Sequence, residues 1–84
     1  MSITEFALIT LIIQRDIELW YFSKCLEISL RRIEYYSQVS NSSKKLEKER
    51  DKHYTYSLII YGLNEQKQRY LRFYKAIKDN KKEG

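Results

Sequence analysis

The sequence has no proline and only two glycines, Gly62 and Gly84. Those residues break helices and shape the tight turns of sheets, so their scarcity argues against a many-turned β architecture. The one cysteine, Cys25, excludes an internal disulfide. The one histidine, His53, leaves a structural metal site short of the three or four ligands it needs, even though Glu49 shares its helix face. No apolar run approaches the roughly 18 residues of a membrane span; the longest, interrupted only by Thr10, is Phe6 to Ile13. Glycine-rich phosphate loops and Ser-His-Asp or Cys-His arrangements are also missing. No catalytic, cofactor-binding or metal-ligating residue is expected, and the chain is read as not an enzyme. Met1 to Glu5 contains an acid and no base, unlike the start of a signal peptide, so a cytoplasmic location is expected.

What is present favours helix. Apolar residues make up 43% and charged residues 32% of the 84 positions, too apolar for a disordered chain. Leu, Ile, Glu, Lys and Arg abound. Ser2-Ile3-Thr4-Glu5 fits a capping box that opens a helix. Ser40-Asn41-Ser42-Ser43 is the one polar small-residue cluster, and such side chains compete with the helical backbone. The expected organisation is a single helical-hairpin domain over 1–84, with helix 1 at about 3–39, a turn at about 40–43 and helix 2 at about 44–80. A break at Gly62-Leu63-Asn64 is the alternative, and the last residues, Asn80 to Gly84, are expected to fray.

Each helix repeats apolar residues at helical spacing. In helix 1 the line is Leu8, Ile12, Leu19, Phe22, Leu26, Leu30 and Ile33; in helix 2 it is Tyr56, Ile59, Leu63, Gln66, Tyr70, Phe73 and Ile77, widened by Ile60 and Tyr74. A turn this short makes the helices antiparallel. Folding about Asn41 and Ser42 sets Leu26 near Ile59, Phe22 near Leu63 and Leu8 near Ile77, in a hairpin roughly 55 Å long.

Helix 1 also carries a second apolar face: Phe6, Ile13, Ile17, Trp20, Tyr21 and Ile28, continuing to Tyr35 and Val39. Helix 2 covers one face only, and a large bare apolar strip is rare on a monomer. The expected fold class is therefore all-α: a long antiparallel helical hairpin that dimerises into a four-helix bundle. A different protein partner is the alternative occupant. A membrane surface fits less well, because helix 1 is slightly acidic.

The net charge of +5 is uneven. Residues 1–40 carry four bases against five acids, whereas residues 64–84 carry seven bases against three acids. Arg69, Arg72 and Lys75 share an outward arc and are candidate polyanion contacts. The first reading is a self-associating interaction protein: an adaptor, inhibitor or assembly subunit. The second is a dimeric nucleic-acid-binding regulator that uses the basic half of helix 2.

Overall fold

A computed structural model describes residues 1–39 and 41–83, with side chains through Asn80. Ser40, Gly84 and the side chains of Lys81, Lys82 and Glu83 lie outside the described residues, as do the expectations that fell on them. The architecture is an all-α two-helix hairpin, α1 (Ile3–Gln38) followed by α2 (Ser43–Glu83).

The start of α1 is fixed by its sequence. The Ser2 hydroxyl accepts from the Glu5 N–H at 3.1 Å, and the Glu5 carboxylate accepts from the Ser2 N–H at 3.4 Å. Two orphan donors are thereby satisfied reciprocally. At the other end, Asn41 takes a left-handed φ of 63°, a conformation that asparagine tolerates better than most residues. Ser42 is buried and sets its hydroxyl 2.5 Å from the Tyr36 carbonyl and 2.6 Å from the Val39 carbonyl. It thus caps the end of α1, where the Tyr36 carbonyl also accepts from the Val39 N–H at 3.4 Å. Its own carbonyl accepts from the Leu46 N–H and begins α2. α2 runs unbroken through Gly62, whose missing side chain leaves nothing within 4 Å to clash with. The break at Gly62 to Asn64 does not occur. α2 continues to Glu83, beyond the expected end near Asn80, and the rod is 67 Å long instead of roughly 55 Å.

The facing seams follow a strict three-four alternation, the spacing that keeps one stripe against a neighbouring helix. On α1 the seam is Glu5, Leu8, Ile12, Arg15, Leu19, Phe22, Leu26, Ser29, Ile33 and Tyr36, each buried or half-buried. On α2 and the residue just before it, the seam is Ser42, Leu46, Glu49, His53, Tyr56, Ile60, Leu63, Lys67, Tyr70, Tyr74 and Ile77. Two corrections to the sequence-based lines follow. Leu30 is exposed and Ser29 takes its place. Phe73 is 55% exposed and Gln66 is exposed, while Lys67 turns inward with Ile60 and Tyr74, which were expected only to widen the line. The reason lies nearer the turn. Extended back from Tyr56, the expected phase puts Lys52 and Lys45 in the seam; the observed phase puts His53 and Leu46 there. The observed phase does admit Lys67, and Asp16 meets its ammonium at 2.6 Å.

The register also differs. Ser29 meets His53 at 3.1 Å, Arg32 reaches Glu49 at 3.4 Å and Arg15 reaches Gln66 at 3.2 Å. Helix geometry then sets Leu26 level with Tyr56, not Ile59, and Leu19 level with Leu63. The shift is a little under one helical turn, and these polar pairs select it.

Candidate functional site

The outer face of α1 is bare. Phe6, Ile13, Ile17, Trp20, Tyr21 and Ile28 are all exposed in the hairpin, Trp20 at 65% and Ile17 at 62%. Helix geometry divides them. Ile3, Phe6, Thr10, Ile13, Ile17 and Trp20 follow their own three-four alternation, on the side of α1 nearly opposite the inner seam. Tyr21, Ile28 and Tyr35, seven residues apart, turn toward one flank. The next outer-seam positions after Trp20 are Lys24, Glu27, Arg31 and Glu34. Lys24 lies 5.9 Å from the Trp20 ring centroid and 3.7 Å from the Glu27 carboxylate. The outer apolar seam therefore stops at Trp20. The sequence line grouped both sets as one face; the spacing that separates them is visible in the sequence once the phase of the inner seam is known.

Between the turn and the middle of the rod, Cys25, Ile28, Ser29, Arg32, Glu49, Lys52 and Tyr56 line a hollow of about 170 Å³ between the helices. Ser29 and Glu49 are its buried polar members. The Ser29 hydroxyl lies 3.0 Å from the Leu26 carbonyl and 3.1 Å from His53 Nδ1, so His53 is a seam residue held across the hairpin. Arg15 pairs with Glu18 on its own helix and with Gln66 across the seam, so it is a paired, half-buried residue of the seam. Glu49 is 5% exposed, and Arg32 and Lys52 both approach the same oxygen, Oε1, at 3.4 and 3.7 Å. Its other oxygen, Oε2, is buried with no hydrogen-bond partner among the described residues. An incompletely paired buried carboxylate is destabilising relative to a packed apolar group. Glu49→Leu is accordingly expected to stabilise the hairpin by about 1–3 kcal/mol, read as a higher urea midpoint with unchanged slope. A lower midpoint would show that the carboxylate holds the seam together.

On α2, Arg69, Arg72 and Lys75 are exposed on the side away from α1, and among the described residues none of the three is in an ion pair. Phe73, one turn from Arg69, is exposed beside them. Lys78 is different: its ammonium lies 4.9 Å from the Tyr74 ring centroid, and hydrogen bonding to Tyr74 raises its pKa above the ordinary lysine value. Tyr70 and Tyr74 are half-buried in the inner seam, so they help hold the fold and are not free to stack on bases.

Comparison with known proteins matches no family, and no curated protein or solved structure is significantly similar. Among the described residues no three His, Cys, Asp or Glu side chains are grouped to hold a metal ion, and no helix is long and apolar enough to cross a membrane. The geometry that remains is a thin two-helix rod with a bare apolar seam on one helix and unpaired bases on the outside of the other.

Proposed function

We propose that this chain is a non-enzymatic helical interaction protein that works through the outer face of α1 and assembles as a homodimer, giving a four-helix arrangement. The observation that carries the reading is the continuous exposed seam from Ile3 to Trp20. Apolar patches on monomers seldom exceed about 300–600 Å², and five large apolar side chains aligned on one stripe pass that range. A reducing, cytoplasmic setting suits the free thiol of Cys25. The test is the mass of the purified chain in solution at tens of micromolar. Twice the chain mass supports the reading, and a cooperative helical monomer removes the homodimer.

A second reading, nucleic-acid binding, is favoured by the unpaired cations Arg69, Arg72 and Lys75. Phosphate contacts release counterions, so binding of this kind weakens steeply with salt. For three contacts on duplex, the slope of log K against log salt is about −3. The triple variant Arg69→Glu, Arg72→Glu, Lys75→Glu is expected to lose binding while keeping its helicity, because all three side chains are exposed. No binding by the parent at low salt would eliminate this reading.

A further inference from the structure

The outer seam has a length, a direction and a charged end, and these restrict how a second copy can occupy it. We infer that two α1 helices pair antiparallel, with Ile3 opposite Trp20 of the partner, Phe6 opposite Ile17 and Thr10 opposite Ile13. The inference rests on the homodimer reading and specifies the geometry of that same surface.

Area is the first argument. From their exposure, Ile3, Phe6, Thr10, Ile13, Ile17 and Trp20 offer on the order of 700 Å² per chain, close to the ~800 Å² per partner of a standard stable interface. The seam alone is therefore of the size that a dimer needs.

Charge decides the direction. Beyond Trp20 the outer seam continues as Lys24, Glu27, Arg31 and Glu34. A parallel pair would bring Lys24 level with Lys24 and Glu27 level with Glu27 of the partner, at positions that face each other. Like charges so placed are destabilising. In an antiparallel pair centred between Thr10 and Ile13, the charged half of each α1 runs past the beginning of the partner and stays in water. Opposed helix dipoles add a smaller favourable contribution.

The same charges decide the register. Sliding the antiparallel pair until Ile13 faces Ile17 would set Trp20 on Thr10 and Ile3 on Glu27, placing a carboxylate that is already paired with Lys24 against an apolar side chain. The shorter overlap matches apolar with apolar at four of six positions, and sets Thr10 against Ile13 at the centre with the Thr10 hydroxyl donating to its own helix at the Phe6 carbonyl.

The assembly that results is long and staggered. Only the open ends of the two rods overlap, and each closed end projects beyond the other, for a total length of about 100 Å. The contacts of Arg15 with Gln66 and of Asp16 with Lys67 set Arg69 and Arg72 near the level of the two-fold axis. They lie on the outside of each α2, so the two basic strips occupy opposite faces and do not merge.

The test uses spin labels on the full chain. Cys25→Ser removes the native thiol, and a single cysteine then replaces either Gln14 or Ser23, both exposed on the flanks of the seam and outside it. Solution mass and helicity are measured on the same samples as the electron–electron distances. The expected result is a helical dimer with Ser23 labels about 35–40 Å apart and Gln14 labels within about 20 Å. A dimer with Ser23 labels within about 20 Å is parallel and overturns the inference while leaving self-association intact. A dimer with Ser23 labels near 25 Å has slid to the longer register, which also overturns it. A helical monomer at both sites overturns the dimer itself, and with it the geometry.

Discussion

Trp20→Glu and Ile17→Glu should each convert the proposed dimer to a species of single-chain mass at tens of micromolar. Both side chains are well exposed within the hairpin and contribute little to its inner seam. Glutamate at either position is therefore compatible with a folded rod, and the variants should keep the parent's helicity. Within the dimer the same carboxylates would be buried without partners. Leaving a buried charge unpaired costs about 3–5 kcal/mol, which weakens association by 100-fold or more. Ile17 should show the larger effect, since it lies nearer the two-fold axis and interface energy concentrates at the centre, whereas Trp20 is at the end of the seam beside Lys24. Glu34→Lys is the control: it changes charge on the same helix beyond the apolar seam and should leave the mass unaltered. If both glutamate variants kept the dimer mass, the outer face of α1 would not be the contact.

Leu8→Ala is expected to lower stability by about 2–3 kcal/mol, toward the lower end of leucine truncations because the site is at the edge of being fully buried. Leu8 is the most completely buried apolar side chain among the described residues, at 9% exposed. For a chain of this size the total is a few kcal/mol, so the loss should unfold a measurable fraction and lower the urea midpoint markedly. The informative comparison is on the opposite helix. Tyr74 is turned into the seam and Phe73 out of it, so Tyr74→Ala should be destabilising while Phe73→Ala should stay within about 0.5 kcal/mol of the parent, as exposed substitutions usually do. The reverse order would mean that α2 is rotated to the phase that its aromatic content first suggests.

That comparison marks where sequence reasoning succeeded and where it did not. The hairpin and the Ser2–Glu5 cap were legible, because each depends on residues close in sequence whose chemistry has one local use. On α2 two apolar lines lie side by side, one through Ile59 and Phe73 and the other through Ile60 and Tyr74, and apolarity alone prefers the first. The choice is made elsewhere, by Lys45 and Lys52, which would enter the seam in that phase. Ser29 and Glu49 were passed over as seam residues because they are polar, yet they are among the most buried side chains in the structure. Each is held by a partner on the other helix, His53 and Arg32, and no spacing rule within one helix shows such a partner. The face carrying Phe6, Ile13, Ile17 and Trp20 was legible for the opposite reason: a helix that is apolar on both sides is visible without knowledge of what lies across from it.

A rod with its only turn at one end also has a direction of assembly. Between Tyr36 and Ser42 the helices are joined across a handful of residues, whereas the Asp16–Lys67 pair closes most of the chain. The entropy lost on closing a loop grows with the logarithm of its length, so pairs near the turn form most readily and the hairpin closes outward from it like a zipper. The polar pairs Arg32–Glu49 and Ser29–His53 belong to the early part of that closure, and the apolar stretch around Leu8 comes last and opens first. The outer seam of α1 lies on this late-closing end. A second chain seated there would brace the two helices where a lone hairpin splays apart most easily, so association and the last step of folding would be one event.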